Sequence, residues 1–191
     1  MTPAIDIRGL SVSFPSRAGT IHALQDLTLS VTPGTVFGFL GPNGAGKTTT
    51  IQVLLGFQDA TSGTASLFGH PVTNTIARGK IGYLSENPDT YNFLTGRELL
   101  TMAGRLFSLP SSEIKRRTSE LLAETGLTEA ADRRIATYSR GMRQRICMAQ
   151  ALINDPELLI LDEPTGGHDP LGRRDIRRII ASRKEAGKTI F

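Results

Sequence analysis

The sequence predicts an α/β fold: a mostly parallel sheet with helices, an N-terminal antiparallel β portion, and an inserted helical subdomain. Three observations carry that reading. A continuous apolar run from Thr35 to Leu40 passes through the glycine-rich stretch 41–46 into residues of helical period. A second apolar run, Leu158 to Leu161, ends in Asp162-Glu163-Pro164. Between them, from about residue 95, apolar positions recur at helical spacing rather than alternating.

Taken in order, Leu10, Val12 and Phe14 alternate with Ser11 and Ser13, the period of a half-buried strand, and Leu27, Leu29 and Val31 repeat it. Pro33-Gly34 turns the chain into Thr35–Leu40, whose unbroken apolar character predicts a strand buried on both faces of a parallel sheet. Ile51, Leu54 and Leu55 then fall at helical spacing, and Gly56 stands where that helix should stop. Thr64–Phe68 and Ile81–Leu84 read as short strands. Thr95-Gly96-Arg97-Glu98 has the form of a capping box ahead of Leu99, Leu100 and Met102. A second helix is predicted over Glu113–Thr125, closed by Gly126. A third opens at Ser139, carries Met142, Ile146, Ala149 and Ile153, and stops before Pro156. Leu158–Leu161 is again a buried strand; Ile176, Ile179 and Ile180 mark a last helix, and Thr189–Phe191 opens another strand. The predicted organisation is one domain over 1–191, its core at about 1–87 and 141–191 and its helical subdomain at about 88–140.

Composition narrows the possibilities. The 39% apolar and 21% charged content is that of a globular chain, not of a disordered one. A single cysteine, Cys147, excludes an internal disulfide framework and a cysteine-clustered metal centre, and fits a reducing compartment. No apolar run approaches the ~18 residues of a membrane span, and the N-terminus lacks a basic-then-apolar leader. The charge is uneven: residues 1–95 hold five Lys/Arg and five Asp/Glu, residues 96–191 seventeen and thirteen. The positives of the second half alternate with acids, as on solvated helix faces, so no nucleic-acid partner is expected.

Gly41-Pro42-Asn43-Gly44-Ala45-Gly46-Lys47-Thr48 matches G-x-x-x-x-G-K-[ST]. Glycines in such a loop let successive N–H groups converge on a polyphosphate, and the following helix adds its positive dipole end. Lys47 is placed to reach the β- and γ-phosphates, the Thr48 hydroxyl to ligate Mg²⁺, and Thr49 to meet the α-phosphate. A chance glycine turn would match the bare pattern, but here a strand precedes it and an amphipathic helix follows. The core is therefore predicted to be that of a P-loop NTPase. Such a core needs a second metal anchor at the end of a neighbouring strand. Asp162 is placed to be that Mg²⁺ partner, directly or through water, and Glu163 to act as general base or to position the attacking water. The plainer alternative is that one of the pair caps the following turn.

Between these anchors lies Tyr138-Ser139-Arg140-Gly141-Met142-Arg143-Gln144. Together with the phosphate loop and Asp162-Glu163-Pro164-Thr165, it makes the chain resemble the ATP-binding cassette (ABC) ATPases over residues 5–191. The family's signature reads Leu-Ser-Gly-Gly-Gln. The Tyr-Ser-Arg-Gly-Met variant resembles those of drug-, antibiotic- and ion-exporting systems. The resemblance implies that Ser139 and Gly141 contact the γ-phosphate held by an opposite subunit, two ATP being sandwiched in a dimer; Ser139 is equally placed as a helix cap. Phe14 falls where the family stacks an aromatic on adenine, though a Phe at a strand end also suits the core. Glu86 stands where the family has a glutamine near Mg²⁺ and the attacking water; it supplies an oxygen ligand there, or is a solvated loop carboxylate. Asn87–Leu94, with Tyr91, Phe93 and Leu94, corresponds to the surface that meets a membrane partner. After Thr165-Gly166, the chain has Gly167-His168-Asp169 where the family has a small residue, Leu and Asp; Asp169 remains able to span the dimer interface.

The resemblance implies the ATPase subunit of an export-type ABC transporter. It would couple ATP and Mg²⁺ to transmembrane permease subunits on separate chains, from the cytoplasmic face of the plasma membrane. Two alternatives stand beside it: a soluble ABC ATPase acting on ribosomes or DNA, and an ATP-binding module without turnover. The second arises because the family's switch histidine lies beyond Phe191, and neither His22, His70 nor His168 takes its place in the motif order. The expectation is a cassette cut short at its C-terminal end.

Overall fold

The computed structural model describes residues 2–16, 19–164 and 170–191, excluding the side chains of 170–173. The chain forms two compact units, residues 1–79 with 187–191, and residues 80–186.

In the first unit, strands β1 (Ile5–Ser16) and β2 (Gly19–Val31) form an antiparallel pair. With β3 (Ser62–Leu67) and β4 (His70–Pro71) they make a four-stranded sheet in the order β2-β1-β3-β4. The apolar positions of β1 change from odd to even, Ile5 and Ile7 followed by Leu10 and Val12, yet all four are fully buried. A register shift between Ile7 and Leu10 makes this possible, because a bulge returns the side chains to the same face. Gly9 supplies the bulge with a φ of 56°, and its N–H donates to Thr28 Oγ1 at 3.0 Å. Gly63 crosses so close that a Cβ there would stand 2.3 Å from the Gly9 carbonyl oxygen. Helix α1 (Lys47–Leu54) buries Ile51 and Leu54, as its spacing predicts. The one-turn helix α2 (Thr75–Arg78) gives no periodic signal in the sequence; Asn74 caps it, accepting from the Ile76 and Ala77 N–H groups.

In the second unit, β5 (Ile81–Leu84) is joined by α3 (Gly96–Leu106) and α4 (Ser111–Glu124), then by 3₁₀ turns at 128–130 and 135–137. Helix α5 (Arg140–Leu152), strand β6 (Leu158–Leu161) and helix α6 (Pro170–Glu185) complete it. Strands β5 and β6 run parallel, Ile81 opposite Leu158 and Leu84 opposite Leu161. The capping box of α3 is present: the Thr95 hydroxyl accepts from the Glu98 N–H, and the Glu98 carboxylate accepts from the Thr95 N–H. Ile176 and Ile179 of α6 are buried, as its spacing predicts. Among the described residues no helix is long and apolar enough to cross a membrane.

Strand β7 (Thr189–Ile190) belongs to the first unit and corrects one expectation. Thr35–Leu40 is not a strand buried on both faces. Among the described residues its only pairing in this unit is a parallel bridge from Val36 to Ile190, and Val36 and Leu40 are 48% and 91% exposed. Phe37 and Phe39 stack on Phe191, with ring centroids at 5.8 and 5.4 Å. Within this unit the run is therefore covered on its phenylalanine side alone, whereas burial on both faces needs elements on each.

Cys147 lies on the buried side of α5, and burial pushes its thiol up to about 12. A thiol reacts as thiolate, so Cys147 is expected to ignore Ellman's reagent at pH 8 in the folded protein and to react in denaturant. Rapid labelling of the folded protein would contradict this burial.

Candidate functional site

The loop 41–46 is built for close approach. Gly44 and Gly46 have φ of 82° and 84°, the left-handed region that glycine alone enters without strain. A Cβ on Gly46 would stand 2.7 Å from the Ala23 carbonyl oxygen and 2.9 Å from Leu24 Cδ1, so β2 leaves no room for another residue. Gly46 is the N-cap of α1, and its carbonyl accepts from the N–H and the hydroxyl of Thr50 at 2.8 and 2.9 Å. The Ala45 N–H donates back to the Pro42 carbonyl at 3.1 Å, rounding the loop. Gly41, Pro42, Asn43, Gly44 and Ala45 are exposed, and the first turn of α1 carries no acid that would offset its positive end.

Lys47 folds its ammonium over this loop, donating to the Gly41 and Pro42 carbonyls at 2.8 and 3.1 Å. The cation is thus already held on the loop, against neutral acceptors that an anionic ligand would outcompete. Thr48 is exposed and Thr49 half-buried on the following turn. Phe14, on β1 opposite Ile21 of β2, is half-buried, and Ile21 is 57% exposed.

In the second unit, Asp162 leaves β6 with its N–H bonded to the Leu84 carbonyl at 2.9 Å, which extends the parallel ladder past the strand end. Its side chain is buried, and its charge, after burial itself, raises the pKa of Tyr83 on β5. Glu163 follows with an exposed side chain and a φ of 45°. A glutamate in that region is strained, and such residues persist only where their surroundings hold them. The next residue, Pro164, has a carbonyl that accepts from Gln144 Nε2 at 3.0 Å. Glu86 is exposed on the loop after β5. Ser139 caps α5, accepting from the Met142 N–H at 3.3 Å, and Gly141 stands in the first turn with open space where a Cβ would be. Tyr91 and Phe93 are exposed and meet edge-to-face at 5.8 Å, while Leu94 is half-buried. Gly166, His168 and Asp169 lie outside the described residues.

Thus the first unit gathers the phosphate-loop residues, and the second unit gathers Asp162 and Glu163 beside the end of β5 and within reach of α5. Gln144 is a neighbour of this site that no motif in the sequence singles out. Its signal was its place at 144, 147, 148 and 151, a helical stripe otherwise filled by Cys147, Met148 and Ala151, all buried. An amide on such a face calls for a buried partner.

The family model described as ABC transporter matches residues 24–166. An uncharacterized ABC transporter ATP-binding protein of Nostoc sp. is 50% identical over 173 residues, 90% of this chain and 52% of that protein. The daunorubicin/doxorubicin resistance ATP-binding protein DrrA of Streptomyces peucetius is 40% identical over 192 residues, all of this chain and 57% of that protein. The chain therefore spans about half the length of the curated relatives it matches. A solved ATP-binding subunit of an ABC transporter superposes with a TM-score of 0.87 at 29% identity, over 98% of this chain and 78% of that one.

Proposed function

The chain belongs to the ABC transporter family, and on that premise we propose that it binds and hydrolyses ATP as the nucleotide-binding part of an exporter. The observation that carries this reading is the phosphate loop: left-handed Gly44 and Gly46, a helix opening at Lys47, and the Lys47 ammonium held over the loop. The drug-resistance function in the name of DrrA, together with the Tyr138–Met142 variant, favours export.

On this reading the loop N–H groups and Lys47 take the β- and γ-phosphates, the ammonium giving up its carbonyl partners for phosphate oxygens. Thr49 meets the α-phosphate, and Phe14 stacks on adenine. Thr48 and Asp162 offer a hydroxyl and a carboxylate. These hard oxygens suit Mg²⁺, which keeps few protein ligands and takes the rest from substrate phosphates and water. When bound, Mg²⁺ would supply charge neutralisation on the phosphate oxygens. Glu163 accepts a proton from the attacking water as its oxygen bonds to the γ-phosphorus. The bond to the β–γ bridging oxygen breaks, and that electron pair leaves on ADP. Glu86 would add an oxygen near the metal and the attacking water, while Ser139, Gly141 and Asp169 would serve the nucleotide of a second, like subunit. Residues 88–140, with exposed Tyr91 and Phe93, form the helical subdomain that meets a permease subunit on the cytoplasmic face of the membrane.

The test is MgATP binding and phosphate release by the whole protein, beside its Lys47→Ala variant. The parent is expected to bind and turn over MgATP, and the variant to lose most of its affinity. Equal affinity in the two would overturn the assignment of the loop.

A further inference from the structure

We infer that Gln144 is a positioning residue for Glu163, fixing from inside α5 the direction in which that carboxylate leaves the backbone. The inference rests on the hydrolytic reading above and adds a residue to it. Glu163 has an exposed side chain, so its direction depends on its backbone, and that backbone is in the left-handed region at 45°. Two hydrogen bonds bracket it. On one side the Asp162 N–H is tied to the Leu84 carbonyl at 2.9 Å; on the other the Pro164 carbonyl is tied to Gln144 Nε2 at 3.0 Å. The first bond continues the β5–β6 ladder. The second comes from outside the sheet, from a side chain only 4% exposed on a helix stripe otherwise made of Cys147, Met148 and Ala151.

That stripe explains why the amide is informative. A Leu or Met at 144 would match its neighbours and favour burial, whereas a buried amide needs its partners. The partner found here is the carbonyl of Pro164, the residue directly after the proposed base. Gln144 is also one turn inside the helix that Ser139 caps, so the helix end presenting Ser139 and Gly141 is the one that holds the Pro164 carbonyl beside Glu163.

The experiment compares the whole protein with Gln144→Met, which has similar length and no N–H donor. Gln144→Met is expected to lower kcat for MgATP at least about tenfold, while KM, MgATP affinity and the denaturant midpoint stay at parent values. In a Glu163→Gln background the same substitution should cost nothing further, because a residue that acts only through Glu163 has no role once the carboxylate is gone. An unchanged kcat, or an equal loss in both backgrounds, overturns the positioning role. Should the Met variant not fold, Gln144→Glu replaces it. Its carboxyl donates only when protonated, so its kcat relative to the parent must rise as pH falls, and a flat ratio overturns the inference. A parent that binds MgATP without releasing phosphate would defeat the hydrolytic reading and this inference with it. A parent that turns over, matched by Gln144→Met, would defeat the positioning role alone.

Discussion

Replacing Glu163 with glutamine is expected to slow phosphate release by about 10²- to 10⁴-fold, the range of a lost general base, with MgATP affinity unchanged or raised. Glutamine has the size of glutamate and the same backbone preferences, so the strained φ of 45° and the exposed position after β6 carry over. What the amide lacks is the ability to take a proton. On the proposed reading the exchange also removes a negative charge from beside a triphosphate, which favours the ATP-bound state. On the family reading that state is a dimer sharing two ATP, so the variant should accumulate as a larger species in MgATP and return to the smaller one when nucleotide is removed. Size-exclusion chromatography with phosphate release measured on the same samples reads both effects. Parent-like phosphate release would assign proton transfer elsewhere. A variant that neither binds ATP nor associates would overturn the shared-site arrangement.

The parts of this site legible in the sequence are those whose chemistry is local. Gly44, Gly46 and Lys47 are readable because a left-handed turn and a helix start impose residue types within a few positions. The Thr95–Glu98 cap is readable for the same reason, its two hydrogen bonds closing over three residues. Asp162 and Glu163 stand out because an apolar strand ends on them. What the sequence conceals depends on partners distant along the chain. The bulge of β1 is visible only when Gly9 is seen against Thr28 and Gly63. Thr35–Leu40 has the composition of a strand covered on both sides, but burial is decided by what packs there, and Phe191 covers the phenylalanine side alone. Helix α2 is one turn long, too short for a periodic signal, and only its Asn74 cap hints at it. Gln144 bonds to a carbonyl 20 residues on, a partner no local pattern names.

The largest stability effect is expected at Gly82, where β5 passes α5 with no space for a side chain. A Cβ there would stand 2.0 Å from the Ala151 carbonyl oxygen, 3.1 Å from its carbon and 2.9 Å from Pro156 Cγ. The obstacle is mainly backbone, in the last turn of α5, so rotamer changes do not relieve it. Gly82 is meanwhile held in register opposite Leu159 by the parallel ladder. Alanine must therefore displace the end of α5 or part β5 from β6, and Gly82→Ala is expected to cost about 3 kcal/mol or more, at the upper end of overpacking effects. A lowered denaturant midpoint in equilibrium unfolding measures it. Gly141→Ala makes the contrast, since it adds the same methyl within α5 where nothing lies within 4 Å. Alanine is also favoured over glycine inside a helix by up to about 1 kcal/mol, so that variant should be as stable as the parent or more so. If both variants lost stability alike, the steric argument at Gly82 would fail. If only Gly82→Ala does, the close passage of β5 beneath α5 is what fixes the strand end from which Leu84 holds Asp162. Lost turnover in a stable Gly141→Ala would then belong to the nucleotide site and not to the fold.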